Sequence, residues 1–494
     1  MNLSRERLLT IGGVGAVVLL TLPYLGVLAE AFLPYPHTNV DCSIMLCEMA
    51  RLAEGWVPYT EMHLNYPPLW FYLMAALKLL LGVPLDCYAF YLTIHYLFIA
   101  GLCAAIYKCV RLYTARRWLP WAAVAFCLYM GFWYRGFFIM FEPLSVLFGM
   151  WAVYLTLSPS FGSKPWRFVL VGLLASCAFL VKQFGAGFVL LIALYLLLTL
   201  RSGSRRDMLL KLAWLLIGFM LPVALCIGIW GRDFIASVLL NGYGTTVNAG
   251  RGEDISAAAK GLRVGHWLVH FAVMECALVL AGLAALPTAR KQGLLPLWVL
   301  CMAGITGFTG QYYFVYFIGS HNFYMLPFVC LLFPLIERWA DADKRRIAFC
   351  ALCLAGSLAF GVHTFIDKKV KPQPSDIIVQ DESALPPLLP ADGQYLSDRV
   401  EAVIPEDGTI WIPNMDVKKY WFQINRLPPN MRDIAYSTGV SELTEDEEAQ
   451  QMHDADFILC LSGDQEDRVL RLTHTGYLVE PDLGLHLYDN RPLR

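Results

Sequence analysis

The sequence predicts a polytopic α-helical membrane protein of about eleven transmembrane helices that ends in a small α/β domain. Of its 494 residues, 57% are hydrophobic and 16% are charged, whereas soluble proteins carry roughly 45–50% apolar and about 25% charged residues. Residues 1–365 contain repeated apolar runs of roughly 17–25 residues, enough to cross about 30 Å of hydrocarbon. Asp, Glu and Pro become frequent from Lys371 onward, so residues 371–494 form a separate soluble domain.

The distribution of Lys and Arg predicts how the chain is oriented, because short cytoplasmic loops are enriched in both. Every second predicted loop is basic, which places the N-terminus in the cytoplasm and the C-terminal domain outside an inner membrane. The formal net charge of −2 argues against a nucleic-acid partner, which requires a basic face. The predicted spans are 8–33, 86–110, 118–134, 142–158, 166–182, 184–200, 209–230, 266–288, 293–309, 321–339 and 345–363. The basic loops contain Arg5 and Arg7, Lys108 to Arg117, Lys164 and Arg167, Arg201 to Lys211, Arg290 and Lys291, and Lys344 to Arg346.

Two predicted extracytoplasmic loops are long. The first, about 35–85, contains an amphipathic pattern over Ser43–Gly55 that predicts a helix lying on the membrane surface, with Glu48 on its polar face. Pro67 and Pro68 open a second, apolar helix that ends at Gly82. The other loop, about 231–265, is polar and Gly-rich, which favours a mobile lid.

The region from Gly310 to Ser320 is open to three interpretations: a loop, a re-entrant turn or part of a further span. In the C-terminal domain, strand-like runs alternate with helical stretches, which predicts a small α/β layer structure. The strand-like runs are 409–412, 456–461 and 485–488, and the helical stretches are 394–403 and 465–472. The C-terminal domain shows no catalytic motif.

Two carboxylates are predicted at the outer membrane face. Asp41 follows the first span, where it can be a helix N-cap, and Glu142 begins the fourth span before Pro143, where it can interact with the helix dipole. Two acids on one face can also divide the work of a catalytic site, one as general base and the other as orienting group or metal ligand.

Basic residues are predicted on the same outer face, which ought to be poor in them. Lys182 closes the fifth span, Arg135 precedes the fourth, and His321 and Asn322 begin the tenth. Lys182 can simply extend to the interface, or it can bind a lipid phosphate. A cluster of such groups favours phosphate ligands.

Several of these segments together resemble the membrane-embedded glycosyltransferases of the GT-C type, which include protein O-mannosyltransferases, aminoarabinose transferases and polyprenyl-phosphate galacturonate transferases. The first loop resembles theirs in its acid, its Ala-Arg-x-Leu helix, its Pro-Tyr pair and its Pro-Pro-Leu turn. Later segments resemble the second-loop acid, the lysine segment after it and a late helix that closes the cavity. The matching residues are Asp41, Ala50 to Gly55, Pro58-Tyr59, Pro67 to Leu69, Lys78 to Gly82, Glu142 to Leu144, Ala178 to Gln183 and His321 to Pro327.

The resemblance implies transfer of a monosaccharide from a polyprenyl-phosphate carrier to an acceptor, with inversion at the anomeric carbon. It implies Asp41 as the base, Glu142 as the second acid, and Lys182, Arg135, Tyr59, His321 and Asn322 as substrate-binding residues. Many members carry Glu after the first acid, whereas this chain has Cys42, so no metal ligand carries over to that position. A divalent cation is a possible cofactor, and the sugar and acceptor stay undetermined.

Two other functions are compatible with a multi-span chain. A transporter predicts broken spans in matching halves and ionisable residues near the midplane, but the sequence shows no clear internal repeat. An O-antigen ligase or polymerase also uses lipid-linked glycans. The acid and Pro-Pro-Leu of the first loop favour the monosaccharide transferase over the ligase or polymerase, and the position of the notable ionisable residues at span ends disfavours the transporter.

Overall fold

Helices dominate the structure, a computed structural model. Fourteen helices, α1 to α14, lie in the part of the chain that it describes. The described residues are 3–32, 40–62, 64, 66–85, 87–133, 136–161, 164–199, 205–241, 276–315, 323–370, 404–405, 408–411, 450, 452–461 and 485–490. The helices are, in order, Leu3–Glu30, Val40–Ala53, Leu69–Leu81, Tyr88–Arg111, Trp118–Trp133, Glu142–Leu157, Phe168–Val181, Ala186–Leu198, Arg205–Phe234, Cys276–Ala284, Leu286–Lys291, Leu295–Val315, Leu326–Ala340 and Lys344–Val370.

Each of the eleven predicted spans overlaps one of these helices. Among the residues that the structure describes, three helical segments can cross a membrane by length and composition: Arg5–Glu30, Tyr88–Arg111 and Arg205–Leu239. Several shorter apolar helices of 10–17 residues accompany them. The apolar side chains of α1 are largely exposed, as expected for a helix that faces lipid. The exact number of spans remains a prediction.

The first long loop differs from its prediction. Helix α2, Val40–Ala53, starts earlier than expected, so Asp41 lies within its first turn instead of before the helix. The predicted exposed polar face of α2 is wrong, because Glu48 is only 4% exposed and residues 44–50 are buried. The physical reason is that protein packs against this side of the helix, where the neighbouring Cys47 is buried as well. Helix α3 ends at Gly82, as predicted, and the φ of 62° at this position favours a residue without a Cβ.

The predicted lid loop begins later than expected. Helix α9 continues through Phe234 with a break at Gly231, and a π-helical segment follows over Ile235–Asn241. Residues 242–265 lie outside the described part of the chain. Helix α12 extends to Val315, so the first half of 310–320 is helical, and residues 316–322 are outside the description.

The three predicted strands form one sheet. β1, Ile410–Trp411, pairs in parallel with β2, Phe457–Leu461, and β2 pairs antiparallel with β3, Leu485–Asp489. The predicted helical stretches 394–403 and 465–472 lie outside the described residues, so the α/β domain as a whole remains a prediction. Buried residues of β1 and β2 belong to the same hydrophobic cluster as α2 and α3. The sheet is therefore connected to the first-loop helices through apolar packing.

Candidate active site

A buried ion pair joins two of the residues singled out from the sequence. The Nζ atom of Lys182 lies 2.5 Å from Oε1 of Glu142. The side chains are 8% and 2% exposed, respectively. Water is therefore largely excluded, and the attraction between the charges is much stronger than at a surface.

Local backbone geometry aims both side chains at each other. Glu142 is the first residue of α6, directly before Pro143, which suits a helix start because proline needs no hydrogen-bond acceptor there. Lys182 ends α7 in an extended conformation, φ −154° and ψ 139°, and a short 3-10 turn follows. A Cβ at Gly185 would lie 2.2 Å from the carbonyl oxygen of Ala178, so only glycine allows this turn. Lys182 therefore points into the protein and does not extend to the membrane interface.

Three aromatic rings surround the Lys182 ammonium group. Nζ lies 5.5 Å from the ring centroid of Tyr66 and 5.9 Å from those of Phe141 and Phe184. Each ring presents its electron-rich face to the cation, a contact that is stronger where water is excluded. We call these three residues the aromatic box. It provides a low-dielectric pocket for one positive charge.

Tyr59 supports the box indirectly. Its hydroxyl donates a 2.9 Å hydrogen bond to the carbonyl oxygen of Tyr66, and burial raises the pKa of its phenol. Its ring packs edge-on against Trp230 and Phe234 of α9. Its φ of 68° is unusual for a residue other than glycine, and such conformations persist where surrounding contacts hold them. The described contacts make Tyr59 a link between α9 and Tyr66.

The segment 136–141, which leads into Glu142, is held by three side-chain hydrogen bonds. Nε2 of His95 lies 3.0 Å from the carbonyl oxygen of Gly136. The Tyr96 hydroxyl donates to Phe137 at 3.1 Å, and the Cys42 thiol donates to Ile139 at 3.1 Å. Because a carbonyl only accepts, His95 must carry its proton on Nε2. Helix α4 thus fixes one end of the segment, and the first turn of α2 fixes the other.

The hydrogen bond from Cys42 to Ile139 brings the backbone near Asp41 close to the backbone near Glu142. Asp41 is the neighbour of Cys42 in the first turn of α2, and Ile139 lies three residues before Glu142. The backbone carrying Asp41 therefore lies against the segment that positions Glu142. The Asp41 side chain is outside the description, as are Arg135, His321 and Asn322, so their predicted roles remain predictions. Beyond that gap, Tyr324 approaches the aromatic box, with its ring 6.1 Å from that of Phe184.

Three residues of the site region were not selected from the sequence. Tyr66 precedes Pro67 in the Pro-Pro motif, and its ring forms one wall of the box. His95 lies inside a predicted span, and an ionisable residue at such a position is by itself a functional hypothesis. Its Nδ1 is buried and has no hydrogen-bond partner among the described residues. Glu48 was assigned to a polar face, but burial raises the pKa of its carboxyl well above the usual 4.5.

The described residues contain no group of three or more His, Cys, Asp or Glu side chains that could hold a metal ion. The Asp41 side chain is not among those residues. Glu142 is already paired with Lys182. The part of the site that the structure describes is therefore a charge pair, with no metal-binding arrangement around it.

Comparison with known proteins identifies the fold. No protein-family model matches the chain, and no sequence among the curated proteins matches it. The chain is similar to the crystal structure of ArnT from Cupriavidus metallidurans bound to undecaprenyl phosphate, with 13% identity and a TM-score of 0.58, over 97% of this chain and 98% of that one. The apo form of the same protein gives a TM-score of 0.57 with the same identity and coverage.

A second solved structure is the oligosaccharyltransferase of Archaeoglobus fulgidus tethered with an acceptor peptide. Its identity to this chain is 10% and its TM-score is 0.51, over 98% of this chain and 75% of that one. Both similar proteins are membrane glycosyltransferases of the GT-C type. The resemblance predicted from the sequence is confirmed at the level of the fold.

Proposed function

We propose, from the fold that it shares with GT-C membrane glycosyltransferases, that this chain transfers a monosaccharide from a polyprenyl-phosphate carrier to an acceptor at the outer face of the membrane. The observation that carries the proposal is the Lys182–Glu142 pair inside the aromatic box. A buried cation supported by aromatic rings suits a lipid phosphate, which brings both a charge and an apolar chain. The similar ArnT structure is described as bound to undecaprenyl phosphate, which supports the same class of ligand.

The proposed reaction is a single displacement. Asp41 accepts the proton of an acceptor hydroxyl while that oxygen attacks the anomeric carbon. The bond between the anomeric carbon and the phosphate oxygen breaks, and its electron pair leaves with the lipid phosphate. Attack opposite the leaving group inverts the anomeric centre. Lys182 stabilises the negative charge that develops on the departing phosphate.

The remaining predicted residues take supporting roles in this proposal. Glu142 holds Lys182 before the donor arrives, and Tyr59 supports the Tyr66 wall of the box. Arg135, His321 and Asn322 are proposed as further donor ligands from their sequence positions. No step requires a metal, and activity after removal of divalent cations with EDTA is the measurement that decides whether one takes part.

The experiment that tests this function compares cells with and without the protein. Mass spectrometry of membrane lipids and surface glycans should show one glycan losing a single sugar residue and the corresponding polyprenyl-phosphate sugar accumulating. Restoring the native chain should reverse both changes, and restoring Asp41→Asn should reverse neither. Identical lipid and glycan profiles in the two strains would contradict the proposed activity.

A further inference from the structure

The Lys182–Glu142 pair has a consequence for how a donor enters the site. Lys182 makes one ion pair, to Glu142, and its other described contacts are the three rings of the aromatic box. An aromatic face cannot replace an anion as a hydrogen-bond acceptor of comparable strength. A phosphate oxygen that binds Nζ would share the charge of this ammonium group with the Glu142 carboxylate.

Two anions on one buried ammonium group oppose each other. A phosphate that approaches Lys182 carries at least one negative charge, and the Glu142 carboxylate lies 2.5 Å from the same nitrogen. Two anions that share one ammonium group lie close to each other, and like charges repel strongly where water is excluded. The phosphate must therefore displace the carboxylate, or it binds more weakly because the carboxylate stays.

We propose that the Lys182–Glu142 pair is an autoinhibitory contact, which the phosphate of the lipid donor opens by taking Lys182 from Glu142. This inference rests on the proposed function and adds a sequence of events to it. Until donor binds, Glu142 neutralises Lys182 and keeps the box closed to other anions. Once the phosphate takes Lys182, the Glu142 carboxylate loses this partner and can orient the acceptor hydroxyl. Donor binding thus precedes acceptor activation.

The alternative is a preorganised site in which Glu142 orients Lys182 and improves phosphate binding. The two arrangements predict opposite signs for the same substitution. If Glu142 competes with phosphate, then Glu142→Gln removes the competitor and tightens binding. If Glu142 orients Lys182, then Glu142→Gln weakens binding or leaves it unchanged.

The test measures binding of undecaprenyl phosphate to the full-length protein in lipid nanodiscs. Glu142→Gln should bind at least about tenfold more tightly than the native protein, because a tenfold change needs only a small part of a buried charge interaction. Lys182→Met should bind more weakly. In the Lys182→Met background, Glu142→Gln should no longer tighten binding, because the competition acts through Lys182.

Matched controls separate this effect from long-range charge. Glu54→Gln removes a half-exposed carboxylate that directly follows α2 and pairs with Arg51, and it should leave binding unchanged. Undecaprenol, which lacks the phosphate, should bind all variants equally. If Glu142→Gln proves unstable, Glu142→Asp withdraws the carboxylate by one methylene and should tighten binding by a smaller factor.

The possible failures are distinct. If Lys182→Met weakens binding and Glu142→Gln does not tighten it, the proposal of an autoinhibitory contact is wrong. The proposal that Lys182 binds the phosphate is then still supported. If Lys182→Met leaves binding unchanged, Lys182 is not the phosphate ligand and both proposals lose their basis. If Glu142→Gln still tightens binding in the Lys182→Met background, the effect is general charge repulsion. The proposal that the phosphate replaces Glu142 on Lys182 is then wrong.

Discussion

A lysine at the end of an apolar helix can extend to the membrane surface or turn inward to a partner. Lys182 turns inward because its extended backbone conformation ends α7 and because Gly185 allows the chain to fold tightly against Ala178. An inward lysine needs a compensating anion, since an isolated buried charge is very costly. Glu142 supplies it. The two residues therefore form a unit whose members cannot be changed independently.

The unit predicts an asymmetric response to mutation. Lys182→Met should remove the ion pair that the buried Glu142 carboxylate makes with Lys182 and lower the free energy of unfolding by about 3–5 kcal/mol. Replacing both residues, as Lys182→Met with Glu142→Gln, should recover much of that loss. Thermal unfolding of the purified variants measures both effects. Equal stability of the single and double variants would show that the pair contributes no such coupling.

Asp41→Asn tests the proposed base. Asn keeps the shape of the side chain and removes its basicity, and a positioned base typically contributes about 10²–10⁴-fold. Turnover should therefore fall by at least about a hundredfold, while donor binding and folding are retained. If Asp41 served only to support the helix start, the substitution should cost little, because Asn and Asp act similarly there. Near-normal turnover would remove Asp41 as the base and direct attention to Glu142.

At the scale of elements, the segment 136–141 is the connection that brings α2, α4 and α6 together. Its carbonyl groups at 136, 137 and 139 accept hydrogen bonds from side chains of α4 and α2. A loop without such bonds would leave its buried polar groups unsatisfied. Glu142 is therefore held by two other helices as well as by its own.

Replacing His95 tests whether this segment positions the site. His95→Leu should leave the Gly136 carbonyl without its bond, at a cost of about 1–3 kcal/mol, and should lower turnover through Glu142. His95→Gln provides a side-chain N–H of similar reach and should restore most of the turnover. Initial rates of sugar transfer measure this rescue. Equal losses in both variants would contradict a positioning role that depends on the hydrogen bond.

Helix α2 carries a buried acid whose ionisation opposes folding. Burial raises the pKa of Glu48 in the folded protein above the usual 4.5, so the folded state binds this proton more tightly than the unfolded state. The stability contributed by protonated Glu48 is fully present below about pH 4.5 and is lost as the pH rises through the folded-state pKa.

Glu48→Gln should remove this pH dependence. The stability advantage of the variant over the native protein should grow as the pH rises above about 4.5. Melting temperatures of both proteins between pH 5 and pH 8 would measure the difference. A constant difference across that range would show that Glu48 ionises in the folded protein as it does in the unfolded chain.

At the scale of the whole molecule, the pattern of basic loops predicts which side of the membrane holds the site. Six basic clusters fall on one side of the predicted spans, which predicts that the C-terminal region lies outside. Buried residues of β1 and β2 share one hydrophobic cluster with α2 and α3, so we expect the sheet and the first loop to lie on the same side.

A reporter enzyme that is active only in the cytoplasm, fused after Arg494, should therefore be silent. The same reporter fused after Arg117, at a basic loop, should be active and serves as the positive control. Strong activity of the C-terminal fusion would reverse the orientation and move the site to the cytoplasmic face.

The sequence by itself determined the class of the molecule and the positions of its helices. Apolar runs of membrane-spanning length and the first-loop motif are local patterns, and local patterns determine helices in a membrane because every backbone group must be bonded within its own segment. The same patterns identified Glu142 and Lys182, although as separate residues at the ends of two spans.

Only the tertiary structure decided what those residues do to each other. Glu142 and Lys182 are 40 positions apart, and whether each contacts solvent or its partner depends on how α6 and α7 pack. The burial of Glu48, the aromatic box around Lys182 and the bonds from His95 and Cys42 to segment 136–141 depend on that packing as well. These features depend on residues from different helices. The sequence pattern of one helix does not show which charged groups a neighbouring helix places against it.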